Sequence, residues 1–213
     1  MRLLLAFGVQ HDPEICLYNM ESFYLAGTLD PASWMILMRQ VKGYEMLGRE
    51  DWLCRVLKGL YGLPQAGNIA QKKLCAACTT DPDGFDRLTA DDCVYRLRGK
   101  LLGEPGYAAF GSHVDDLFSI GDSAGQAKTA EILGKQFTVK TDVDPAVVTG
   151  VQLMRDRPKG WAKLHQAGYI EQILERCGIK ECVPQDIPLD PGVAKGPVPE
   201  MGLEAPDKWD FLF

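Results

Sequence analysis

The stretch Tyr107-Ala-Ala-Phe-Gly-Ser-His-Val-Asp-Asp-Leu-Phe-Ser-Ile-Gly121 constrains this chain more than any other. Two apolar arms flank a polar tip, the pattern of a β-hairpin. Further strands are expected at Glu14–Tyr18, Ser33–Met38, Trp52–Leu57, Asp92–Leu97, Phe137–Lys140, Val147–Arg155 and Trp161–Leu164. Between them lie helical segments: residues 1–10, a short helix or turn at Phe23–Ala26, Gln65 to Cys78, and a helix capped by Ser123 that runs to about Gln136. A last amphipathic helix, Gln166 to Cys177, ends at Gly178. Helices and strands interleave, but hairpins recur. The fold class this implies is α+β with an antiparallel sheet.

The 213 residues, 46% apolar and 24% charged, suit one large domain or two small ones and argue against disorder. No apolar run reaches the ~18 residues of a membrane span. The opening Met1-Arg-Leu-Leu-Leu-Ala-Phe-Gly8 is too short for a signal peptide and lacks a cleavage site, so it reads as a buried helix of a longer chain. Seven scattered cysteines, an odd number, suit reduced thiols and an intracellular location, cytoplasm or nucleus. A net charge of −6 counts against a general nucleic-acid binder. The charge is uneven, however: Arg39–Lys73 carries +4, Val151–Lys180 carries +3, and the Pro-rich end from Glu181 carries −5. Residues 1–190 are expected to form the domain, and 191–213 a poorly packed acidic tail.

Asp115-Asp116 sits at the tip of the apolar hairpin. Adjacent carboxylates repel and must stay hydrated or bind a cation. As hard oxygen donors they would select Mg²⁺ or Mn²⁺. Turns are rich in Asp, so the pair alone leaves both readings open. A two-metal site would also need a third carboxylate from a neighbouring strand. Cys75-x-x-Cys78 has no second ligand pair for zinc and reads as two helix thiols. No glycine-rich phosphate loop and no nucleophile elbow are present.

Three stretches, in order and suitably spaced, resemble the reverse transcriptase of copia-type LTR retrotransposons. They are Leu57-Lys-Gly-Leu-Tyr-Gly-Leu-Pro-Gln-Ala66, His113-Val-Asp-Asp116, and Val148-Thr-Gly-Val-Gln-Leu-Met-Arg-Asp-Arg157 continuing through Tyr169 to Arg176. The resemblance covers residues 1 to about 192. It implies a polymerase palm, an antiparallel sheet packed on helices, with partial fingers; the start of the fingers, most of the thumb and an RNase H region fall outside it. The implied cofactor is Mg²⁺ or Mn²⁺. The implied partners are an RNA/DNA primer-template and deoxynucleotides.

The same resemblance assigns roles. Asp115 and Asp116 match the paired metal-binding aspartates. Tyr24 matches the aromatic that excludes the sugar 2′-hydroxyl, and Gln65 the glutamine beside the incoming nucleotide. Three positions depart from the family: its first catalytic aspartate is Asn19, its arginine after Gln-Ala-Pro is replaced by Gly67-Asn68, and its Tyr before Val-Asp-Asp is His113. The expectation is an RNA-directed DNA polymerase impaired at Asn19, with weak or absent activity. The alternative is a non-catalytic remnant that binds nucleic acid or protein.

Overall fold

The structure, a computed structural model, describes residues 2–30, 32 and 35–181. Its first unit, Met1–Gly168, is built on a six-stranded antiparallel sheet. Helix α1 (Arg2–His11) leads through Asp12-Pro13 into β1 (Glu14–Met20). Proline after Asp12 removes a backbone donor and disfavours a helical residue before it, so the helix stops there. Two residues on, α2 (Phe23–Ala26) forms one turn; β2 (Leu37–Arg39) and β3 (Leu53–Arg55) form a separate two-stranded ribbon. Then come α3 (Ala66–Thr79), β4 (Phe85–Arg87), β5 (Val94–Leu97), β6 (Ala108–His113), β7 (Asp116–Gly121) and α4 (Ser123–Gly134). The unit closes with β8 (Val139–Val143), β9 (Val147–Val148), β10 (Val151–Asp156) and β11 (Trp161–His165).

The large sheet runs β4-β5-β6-β7-β1-β8, so β1 lies beside the β6–β7 hairpin although some ninety residues separate them. Alternation along β1 drives this. Cys16, Tyr18 and Met20 face a core with Phe110, Leu117, Tyr95, Leu74 of α3 and Leu133 of α4. Ile15 faces a second core with Phe118, Ile120, Leu5 of α1 and Leu153 of β10. Both faces of the sheet are therefore covered, which is why the hairpin arms are apolar on both sides. Helix α4 comes very close to the start of the hairpin. A Cβ on Gly125 would lie 1.9 Å from the Tyr107 carbonyl oxygen, so this position requires glycine.

The α+β class and the antiparallel sheet are as the sequence led us to expect. Several element bounds differ. Asp122, not Ser123, caps α4: its Oδ1 accepts from Gly125 N at 2.8 Å, while Ser123 Oγ donates to Glu14. A carboxylate at this position satisfies an orphan amide and opposes the helix dipole. Phe137 joins the core after α4, and the strand starts at Val139. The expected strand Val147–Arg155 is broken by Thr149 and Gly150, both at positive φ, into a tight hairpin. Strand β4 has no counterpart among the expected elements. The ribbon strands are shorter than expected, and Ser33 and Trp34 lie outside the described residues.

The second unit, Tyr169–Phe213, is described to residue 181. It holds most of α5 (Ala167–Arg176). Gly178, at φ 68°, ends the helix; its N–H bonds to Glu175 O and that of Ile179 to Leu174 O, a Schellman cap. The expected tail, 191–213, lies outside the described residues, as does the expected boundary near 190. No described helix is long and apolar enough to cross a membrane.

Candidate active site

Strand pairing assembles the first cluster. In register, Asn19 of β1 and His113 of β6 both face Asp116 of β7. The Asn19 amide Nδ2 donates to Asp116 Oδ1 at 2.8 Å, and Met20 N donates to Asp115 O at 2.8 Å. Asn19, Asp115 and Asp116, 96 and 97 residues apart in sequence, thus meet at one end of the sheet. The two-residue loop of the hairpin is Val114-Asp115, with Val114 at φ 56°. A β-branched residue in this region is strained by about 1–3 kcal/mol, and the flanking ladder holds it there. That strained turn fixes the direction in which the two carboxylates leave the hairpin.

Beside Asp116 opens a pocket of about 310 Å³. Leu17, Val94 and Phe118 form its apolar floor; Asp91, His113 and Thr149 stand with Asp116 around it. On the opposite face of β1, Tyr18 donates to the Gln126 carbonyl and side-chain oxygens at 3.0 and 2.9 Å. Burial pushes its phenol well above the ordinary range and the neighbouring Cys16 thiol up to about 11. Both stay protonated and neutral, a rigid backing for the strand that carries Asn19.

The second cluster lies at the start of α3. Gln65, at the N-cap position, and Asn68 line a pocket of about 450 Å³ with Pro64, Ile69 and Lys72. Lys72 lies four residues beyond Asn68, which places both on one helix face. Tyr24, half-buried on α2, makes ring contacts with Phe23 and, edge-on at 4.9 Å, with Tyr61. Its ring also approaches Gly67 of α3. Tyr24 therefore sits with the α3 residues. Gln71 of α3 donates to Ser112 Oγ of β6 at 3.1 Å, which ties the helix to the hairpin. Cys78 is fully buried, its thiol pushed up to about 12 by that burial, which fits a packing role in α3.

The donor set can be tested for Mg²⁺ or Mn²⁺. Asp115 and Asp116 are hard ligands that could hold one ion with water completing its shell. Two ions about 3.5–4 Å apart need a carboxylate shared between them. The position facing Asp116 holds an amide, which turns an N–H donor toward it. Among the described residues no group of three or more His, Cys, Asp and Glu side chains is placed to hold a metal. The residues present do not fit a two-ion centre.

Comparison with known proteins bears on what this geometry serves. The chain is 30% identical over 191 residues to the retrovirus-related Pol polyprotein from transposon TNT 1-94 of Nicotiana tabacum, covering 89% of this chain and 14% of that protein. It is 27% identical to the corresponding polyproteins of transposons RE2 and RE1 of Arabidopsis thaliana, covering 89% and 90% of this chain and 12% of each relative. The chain thus spans about an eighth of the length of these relatives. No solved structure matches it. The family model described as reverse transcriptase (RNA-dependent DNA polymerase) matches residues 1–191. With nine-tenths of its length matched, the chain belongs to the reverse transcriptase family, as its copia-type motifs implied.

Proposed function

We propose that this chain is the palm of an RNA-directed DNA polymerase whose nucleotidyl transfer is impaired at its first carboxylate position. The observation that carries this reading is the bond from Asn19 Nδ2 to Asp116 Oδ1. The strand pairing supports Asn19 as the counterpart of the first aspartate, since it faces the hairpin acids in register. The amide removes one negative charge and, by donating to Asp116 Oδ1, occupies an oxygen that a cation would otherwise use. A primer-template and deoxynucleotides are the substrates of this reading. Tyr24 would pack under the sugar, while Gln65 and Asn68 would lie beside the nucleotide. Positioning and charge neutralisation are what phosphoryl transfer asks of a protein, and the second is what Asn19 weakens.

The test is primer extension with Mg²⁺ or Mn²⁺, run beside Asn19→Asp. Removing a charged partner from a partly desolvated site costs on the order of 3–5 kcal/mol, or roughly two to four powers of ten in rate. The chain as it stands should extend little or not at all, and Asn19→Asp should recover part of that loss. Equal rates for the two would mean that the first-carboxylate assignment is wrong.

A second reading, a non-catalytic binding module, is favoured by the β2–β3 ribbon. Tyr44 and Trp52 are exposed there, and the Arg49 guanidinium stacks 4.1 Å over the Trp52 ring. Exposed aromatics among basic residues are a surface that single-stranded nucleic acid can stack on. Under this reading a primer-template still binds, and Asn19→Asp yields no extension.

A further inference from the structure

We propose that the outer edge of β8 is a self-pairing surface, where a second copy of this chain adds its own β8 antiparallel about a two-fold axis at Thr141. This goes beyond the polymerase reading and does not depend on it. Strand β8 ends the six-stranded sheet, with β1 on its inner side. Asp144 N donates to Ile15 O and Glu21 N to Thr138 O, each at 2.9 Å, so the residues that exchange bonds with β1 are Thr138, Lys140, Asp142 and Asp144. The N–H and C=O groups of Val139, Thr141 and Val143 therefore point outward. Among the described residues no hydrogen bond takes them up. Thr141 and Asp142 are exposed, and Val143 is 60% exposed. The far edge of the same sheet is protected: Phe85 O of β4 accepts from the Arg98 guanidinium at 3.2 Å.

The sequence of β8, Val-Lys-Thr-Asp-Val, is what selects a second copy as the occupant. Turned about Thr141, the strand sets Val139 opposite Val143 of the second copy, Thr141 opposite Thr141, and Lys140 opposite Asp142, on both sides of the axis. The valine and threonine pairs are then the ones that exchange hydrogen bonds, so every outward group finds a partner. Lys140 and Asp142 fall at the pairs without hydrogen bonds, where facing side chains come closest. Both lie on the face of the sheet shared by Asn19 and Leu17, their neighbours on β1. A lysine on an edge strand commonly wards off a second strand. Here the two-fold axis makes it half of an ion pair. Lys140 Nζ also lies 2.8 Å from Glu21 Oε1, but its side chain is 75% exposed, so the ammonium can serve both carboxylates. Five residues make a short interface, which puts the association at the weak, transient end.

The experiment is analytical ultracentrifugation of the full 213-residue chain over a concentration series. The unaltered chain should dimerise with a Kd on the order of 100 μM. Lys140→Glu and Asp142→Lys each turn both symmetric ion pairs into like-charge contacts, and each should weaken self-association by about tenfold or more. The two changes combined in one chain should restore it. The two single variants, mixed, should form a heterodimer, because each altered side chain then meets its opposite charge. Thr141→Pro removes the central outward N–H without touching the bonds to β1. It should abolish association while the melting temperature, read alongside, falls little. Should that variant not fold, the charge exchange decides alone. A chain that stays monomeric at about 1 mM overturns the proposal. A dimer that both single charge changes leave intact overturns it too, by placing the contact on another surface such as the β2–β3 ribbon. So does failure of the mixed variants and of the double variant to associate.

Discussion

The β6–β7 hairpin and the β2–β3 ribbon are both antiparallel pairs of short apolar strands, and they meet opposite fates. Phe110 in β6 is 0% exposed, set between the rings of Phe85 and Tyr95 at 4.9 Å each. Leu53 in β3 is 56% exposed, and every residue of both ribbon strands faces solvent. The hairpin is covered by α3 and α4 on one face and by α1 and β10 on the other. The ribbon has no such cover among the described residues. Its loop is held by polar side chains instead: Gln40 accepts from Met46 N, and Glu45 and Glu50 accept from the amides of Gly43 and Gly48. Strand formation and burial are thus separate events. Pairing satisfies the backbone in both places, but only the hairpin gains the apolar contacts that stabilise a core.

The comparison can be broken most directly by truncating one side chain in each region. Phe110→Ala should cost about 3–5 kcal/mol, because it opens a cavity among rings that cannot collapse into it. Leu53→Ala should change stability by less than about 0.5 kcal/mol, as exposed positions do. Chemical denaturation reads both. A ribbon truncation as costly as the hairpin one would mean that the ribbon is buried in solution, by a second copy or another partner.

A sharper probe sits at the end of the hairpin. Asn19→Asp sets a second carboxylate against Asp116 and removes a hydrogen bond to a charged group, a loss of about 1.5–3 kcal/mol. Without divalent ions the melting temperature should fall by roughly 3–12 °C, at ~2–4 °C per kcal/mol for a unit of this size. Added Mn²⁺ should return much of it, and should leave the unaltered chain nearly unmoved. A variant whose melting temperature ignores Mn²⁺ would show that the carboxylates do not share an ion.

The smallest effect belongs to an exposed pair away from both regions. The Arg157 guanidinium donates to Asp12 Oδ1 at 2.8 Å and holds that carboxyl below its ordinary value. A lowered carboxyl stabilises the fold above its unfolded value and loses that contribution as pH falls through the folded one. Asp12→Asn should therefore narrow the gap in stability between neutral pH and pH 3, slightly, because the pair is solvent-screened. An unchanged acid limb in thermal melts would remove the pair from the account of stability.

Much of the local structure was legible in the sequence. The Asp12-Pro13 break, the apolar hairpin and the Gly178 cap follow from rules that act within a few residues: a missing N–H, side-chain alternation, and the freedom of glycine at positive φ. The signature from Leu57 to Ala66 and the Val114-Asp115-Asp116 tip carried the family. Only the tertiary structure decided what those pieces meet. That β1 enters the sheet beside β7, so that Asn19 faces Asp116, depends on two faces of one strand finding separate cores. The core position of Phe137 and the solvation of the ribbon were settled the same way. Each turns on which surfaces are available to cover a residue, and in this chain those surfaces come from segments many residues away.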